Sequence, residues 1–206
     1  CPPFDVYYTP ELFAAMDEMV AEGVMRHYGV SVEKVEQAVK AMEYPGTASV
    51  QIIFNMVRQR PADRFLADAL ARDLGVLARV PLASGLLSGK YDKASVFAEN
   101  DHRNYNREGA AFDVGETFAG LDYDAGLGFV AAVQELVPEG VTTAQQALRW
   151  ILMHEGVTAA IPGAKNPEQA RCNAASADMP PLSAEVIALV AELYLEYAKP
   201  LVHQRW

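Results

Sequence analysis

Two stretches of the chain carry residue types suited to holding an anion. In the first, Ser84, Gly85, Ser88, Gly89 and Lys90 follow an apolar run, Val76 to Val80, that breaks at Pro81. Glycines let backbone N–H groups approach a ligand, and a lysine supplies the counter-charge. An ordinary turn with a solvated lysine has the same appearance, and spacing alone does not separate the two. In the second, Gly163, Ala164, Lys165 and Asn166 precede Pro167 and Glu168, the order of cap, proline and acid that opens a helix. Free N–H groups, the helix dipole and Lys165 could hold a phosphate there. Taken alone, a well-capped helix with a surface lysine is the simpler account. Two polar residues also interrupt apolar runs. An unpaired buried amide at Gln51 would cost about 1–3 kcal/mol, so it needs a partner, either a ligand amide or a neighbouring backbone group. Arg79 must be paired, stacked on a flat ring, or directed to solvent at a strand end. His27, His102, His154 and His203 show no metal-ligand spacing, and Cys172 reads as helix packing against alanines. No Ser–His–Asp set or carboxylate pair stands out.

The elements that position these residues can be read in order. Thr9, Pro10 and Glu11 open a helix that closes at Gly23. Val24 to Val30 reads as a strand, and Ser31 as the cap of a helix with Val32, Val35, Val39 and Met42 on one face. Ser49 to Phe54 is a strand, Pro61 starts a helix running to about Asp73, and Gly75 leads into the third strand. Residues 91–125 are polar and without periodicity, the pattern of a functional lid or a disordered segment. A helix from about Ala125 to Val137 follows, then one opened by a capping box from Thr143 to Gln146. Thr158 to Ile161 is a fourth strand. A helix follows Asn166, and a last amphipathic helix spans about Ala184 to Ala198. Alternating strands and helices with short connections imply a parallel sheet covered by helices. A closed eight-stranded barrel takes about 250 residues, and four strands suggest half of one. In parallel α/β folds ligands sit beyond the carboxyl ends of the strands. Ser31, Gln51, Arg79 to Lys90 and the stretch from Pro162 to Lys165 would then share one side of the sheet.

Composition bounds the rest. With 206 residues, 51% hydrophobic and 21% charged, the chain has the makeup of one globular domain spanning residues 1–206. The formal net charge of −10 argues against nucleic acid or an anionic membrane as partner. Any anionic ligand would need local cations or backbone amides. No run is long and apolar enough to cross a bilayer. Two cysteines make no disulfide framework, and a reducing, cytoplasmic setting is expected. The opening Cys1-Pro2-Pro3 suggests a piece of something longer.

Together, Val30-Ser31, Gln51 with Asn55, the run from Pro81 to Tyr91, Ala147-Leu148-Arg149-Trp150-Ile151-Leu152, and Ile161 to Lys165 with Glu168, Gln169 and Asn173 resemble the aldo-keto reductases. The similarity runs toward bacterial members related to the potassium-channel β-subunit branch and spans nearly the whole chain. It implies an α/β fold of the (β/α)8 TIM-barrel type. The C-terminal half would be present here, as four parallel strands with their helices and extra C-terminal helices. It also implies a nicotinamide cofactor, NADP(H), and reduction of an aldehyde or ketone. By position, Ser31 and Gln51 would hold the nicotinamide carboxamide. Arg79 stands where relatives carry a Tyr or Trp that stacks on the ring. Pro81, Leu82, Ala83, Ser84 and Lys90 would follow the pyrophosphate. Gly163, Ala164, Lys165, Gln169 and Asn173 would surround the adenosine and its 2′-phosphate. Arg103, in the long segment 91–125, resembles a basic clamp near the cofactor.

Two departures are visible. Val32 follows Ser31 where many relatives have Asn, and Arg79 replaces an aromatic ring. The family's Asp, Tyr, Lys and His tetrad would lie before Cys1, so no catalytic residue is expected in this chain. The alternative is a non-catalytic half-barrel acting as an interaction or assembly module, with its free sheet edges pairing into a homo-oligomer.

Overall fold

A computed structural model describes all residues, 1–206. Its framework is four parallel strands in consecutive order, β1 (Tyr28–Ser31), β2 (Thr47–Ile53), β3 (Gly75–Arg79) and β4 (Ala159–Ala160). Helices α1 (Pro10–Ala21), α2 (Val35–Ala41) and α3 (Phe65–Ala71) separate the first three strands or precede them. Between β3 and β4 lie α4 (His102–Tyr105), α5 (Tyr123–Gln134) and α6 (Thr143–Leu152). After β4 come α7 (Pro167–Ala175), α8 (Ala184–Leu193), a π-helical turn at Tyr194–Ala198, and α9 (Lys199–Val202).

Alternation along the strands assigns the two faces of the sheet. Val50, Ile52, Val76 and Ala78 are fully or almost fully buried and join one core with Ala38, Phe65, Ala69, Ala147 and Ile151 from the helices. Burying each larger aliphatic side chain there contributes about 1.5–3 kcal/mol. The opposite face carries two registered rows, Gly29–Ser49–Gly75 and Ser31–Gln51–Leu77–Ala159. The first row is small for a reason. A Cβ on Gly29 would fall 2.2 Å from Ser49 Oγ and 2.5 Å from its carbonyl oxygen, so only glycine allows this approach.

Several local expectations shift. β1 begins at Tyr28, later than Val24, and Ser31 ends the strand without capping α2. Gln37 closes that helix start, its Oε1 accepting from the Glu33 and Lys34 N–H groups at 2.8 Å each. The capping box of α6 is Thr142 with Gln145, one residue earlier than its sequence pattern, because Thr143 is buried. Pro61 lies in a 3-10 turn, Arg60–Asp63, and α3 starts after it.

Residues 91–125 are anchored by aromatic and hydrogen-bond contacts despite their polarity, with most of residues 92–100 exposed. Phe97 meets Tyr91 and Tyr123 edge-on at 5.1 and 6.1 Å, and Phe118 lies 5.0 Å from Tyr123. Arg103 stacks 4.8 Å from the Phe97 centroid, and Arg107 4.9 Å from that of Tyr123. Asn106 is wholly buried and satisfied, accepting from the Ala111 and Phe112 N–H groups and donating to Thr117 Oγ1. No helix is long and apolar enough to cross a membrane.

Candidate cofactor site

The loop leaving β3 is strained. Val80, Ala83, Ser84 and Gly85 have φ of +50°, +47°, +57° and +91°. For a β-branched residue such as Val80 this region is a true outlier. The surroundings hold it there. Asn55 Nδ2 donates to the Val80 carbonyl at 2.9 Å, and Ser84 Oγ donates to the Glu116 carbonyl at 2.8 Å. The Phe118 N–H returns a bond to Ser84 Oγ at 3.2 Å. Ala83, Leu86 and Leu87 are fully buried and pin the loop from below. Strain maintained by this many contacts is a mark of functional loops.

A second wall forms where β4 exits. Asn166 caps α7 by accepting from the Gln169 N–H at 2.9 Å, and the Lys165 N–H donates to Gln169 Oε1 at 2.8 Å. Asn173 Nδ2 donates to the Gly163 carbonyl at 3.2 Å. A Cβ on Gly163 would meet nothing within 4 Å, so the backbone here faces open space.

Between these walls lies a cavity of about 1040 Å³. Pro81, Leu82, Ser84 and Lys90 line one side, and Gly163, Ala164, Lys165, Gln169 and Asn173 the other, with Arg103 contributed by α4. Ala83 is buried behind the lining. Ser31, Gln51 and Arg79 stand outside it, on the open face of the sheet, where Ser31 registers directly with Gln51. Cys1 Sγ links two of these three, 3.2 Å from Ser31 Oγ and 3.4 Å from an Arg79 nitrogen.

Of the fates open to the Arg79 guanidinium, the structure shows pairing. It bridges Glu33 Oε1 at 3.0 Å and the Glu116 carboxylate, and donates to the Val32 carbonyl at 3.0 Å. The side chain is 12% exposed. Glu116 lines the cavity, so this pair neutralises a carboxylate that would repel an anion. Lys90 and Lys165 are exposed and make no ion pair. Arg103 is held by the Asp101 carboxylate and by Tyr91 Oη. Its hydrogen bonds keep the Asp101 carboxyl far below the usual carboxylate range. Gln51 makes no side-chain hydrogen bond within the chain, which leaves its amide available. Cys172, expected as packing, is exposed and lines the cavity. His102, Phe112, Glu116 and Gln145 also line it without having been singled out by motif or spacing. Only the unexplained length of segment 91–125 pointed toward the first three.

A sequence model of the aldo/keto reductase family matches residues 1–195. A probable voltage-gated potassium channel subunit beta from Arabidopsis thaliana is 28% identical over 189 residues, 86% of this chain and 54% of that protein. L-glyceraldehyde 3-phosphate reductase from Escherichia coli O157:H7 is 26% identical over 187 residues, 87% of this chain and 52% of that protein. Among solved structures, the glycerol dehydrogenase AKR11B4 from Gluconobacter oxydans superposes with a TM-score of 0.73 at 22% identity, over 95% of this chain and 55% of that one. The holo form of the aldo-keto reductase AKR11C1 from Bacillus halodurans gives 0.67 at 22% identity, over 94% and 57%. This likeness shows the fold, about half of a (β/α)8 barrel, and the chain spans about half the length of the curated relatives it matches. By the family match across most of its length, the chain belongs to the aldo/keto reductase family.

Proposed function

We propose that residues 1–206 hold most of the cofactor site of an NADP(H)-dependent oxidoreductase that reduces an aldehyde or ketone to an alcohol. The observation that carries this reading is the cavity itself. One space joins the loop after β3 to the exit of β4, the two stretches whose residue types suit phosphate. Its size accommodates a dinucleotide, and Lys90 and Lys165 are free of carboxylates. In this reading Lys90 and the strained loop lie along the pyrophosphate, with Arg103 closing over it. Lys165, Gln169 and Asn173 meet the adenosine end. Ser31 and the unpartnered Gln51 amide orient the carboxamide, and Arg79, held by its two glutamates, lies under the ring. The bound cofactor supplies the hydride. The residues of this chain bind, orient and exclude water, and none is assigned the role of proton donor.

Titration with NADPH, followed by its fluorescence, should give a saturable change that Lys165→Met or Lys90→Met weakens. Absence of saturation by millimolar cofactor would sink the reading. A second reading, a half-barrel assembly module, is favoured by one observation: β1 and β4 each pair on one side only. It predicts a dimer by light scattering, and a monomer at high concentration removes it.

A further inference from the structure

We propose that a second cleft, between α2 and the turn at His203–Arg205, is a binding site for a small phosphate-bearing molecule. The cleft has a volume of about 310 Å³ and shares no residue with the large cavity. The proposal therefore stands whether or not a nicotinamide cofactor binds there. Lys34, Arg60 and Arg205 line the cleft, brought together from three distant parts of the sequence. They face one carboxylate, Glu36, which Arg60 already engages. Lys34 and Arg205 have no carboxylate within ion-pair distance. On a chain of net charge −10, the cleft thus gathers three cations against one carboxylate.

Gln37 supplies the independent observation. It is 5% exposed and lines the cleft. Its Oε1 is fixed by two backbone N–H groups at 2.8 Å, which settles which end of the amide is which. The Nε2 group is left without a hydrogen-bond partner in the chain. The group is not sealed from solvent, so it is a donor that opens on the cleft, free to meet an acceptor placed there. The ammonium of Lys34, the guanidinium forks of Arg60 and Arg205, and the Gln37 amide are all donors. Phosphate, rich in acceptor oxygens and matched by guanidinium geometry, is their complement. The volume is at the lower end of small-molecule pockets and suits a short phosphorylated metabolite rather than a dinucleotide.

Calorimetric titration of the full chain with inorganic phosphate at fixed ionic strength tests this without cofactor. Saturable binding is expected. The pair Lys34→Met/Arg205→Met should weaken it by about tenfold or more, the loss of charge-assisted hydrogen bonds. Gln37→Glu keeps the acceptor that the two N–H groups need, so the fold survives, but it replaces the donor with a charge. It too should weaken binding. Repeated on Lys90→Met/Lys165→Met protein, which removes the free cations of the large cavity, the titration should still show the cleft's saturable binding. Affinity insensitive to the first two variants, lost in the third, or matched by chloride overturns the proposal. Tighter binding of a phosphorylated small aldehyde than of inorganic phosphate would identify a metabolite as the source. Equal affinity would identify free phosphate.

Discussion

The indole Nε1 of Trp206 donates to both carboxylate oxygens of Asp113, at 3.0 and 3.2 Å. Residue 206 is thereby tied to the segment that supplies Glu116 to the large cavity. Arg58 lies 4.1 Å from the centre of the indole ring, almost fully buried, and burial lowers its pKa to about 10 without discharging it at neutral pH. Two glycines make room. A Cβ on Gly120 would fall 2.2 Å from Trp206 Cη2, and one on Gly115 would fall 2.2 Å from Arg58 Nη1.

Trp206→Phe keeps most of the ring and removes the hydrogen bond. It should cost about 1–3 kcal/mol, since the largely enclosed Asp113 carboxylate loses a donor. Trp206→Ala should cost about 3–5 kcal/mol. Urea denaturation gives the energies, and amide exchange should show residues 113–120 opening first. Unchanged exchange in that segment would show that Trp206 does not hold it.

Arg79 is the second point of leverage. Removing it leaves Glu33 and Glu116 together and largely enclosed, with Glu33 Oε2 already lacking a partner. Arg79→Met should therefore destabilise the chain by roughly 1–3 kcal/mol, less than for a fully buried pair because Glu33 and Glu116 keep 19% and 26% exposure. Arg79→Lys keeps the charge but cannot span both carboxylates, so it should recover only part of that loss. Equal stability of the wild type and Arg79→Met at neutral pH would contradict this account.

His154 sets a pH dependence. Its pKa is lowered by burial between Phe54 and Trp150, at centroid distances of 4.8 and 4.4 Å. The folded state therefore keeps the ring neutral at pH values where the unfolded chain has taken up a proton. The contribution is complete above the unfolded pKa of about 6.5 and declines as pH falls toward the lower folded value. His154→Gln should flatten that part of the stability profile. Denaturation midpoints between pH 7.5 and about pH 5 decide it.

Gly85 carries φ +91°, and a Cβ there would sit 2.8 Å from Tyr91 Oη, the atom that also receives Arg103. Gly85→Ala should destabilise by more than about 1 kcal/mol and displace Tyr91. Weaker NADPH binding, read by the same fluorescence titration, should accompany the loss. An Ala variant with wild-type affinity would show that the Tyr91–Arg103 contact is dispensable.

Much of this was legible in the linear order of residues. Short apolar runs bounded by turn residues marked all four strands, and apolar stripes at helical spacing marked most helices, because both patterns follow from local backbone geometry. Boundaries were looser, as at Ser31 and Thr143, where burial and the Gln37 and Thr142 caps decided the start. The stretches around Lys90 and Lys165 announced themselves by residue type. That they face one cavity depends on residues about 75 positions apart meeting across β3 and β4, which no local pattern encodes. The partners of Arg79, 46 and 37 residues away at Glu33 and Glu116, were equally invisible. So was the order within residues 91–125, where arginines stack on aromatics without any period. Residue types and local periods by themselves determined the elements, the acidic balance and the anion-suited stretches. Tertiary structure alone decided which charges neutralise each other, which remain free, and which glycines have no room for a side chain, because those outcomes depend on long-range packing rather than on neighbours in the chain.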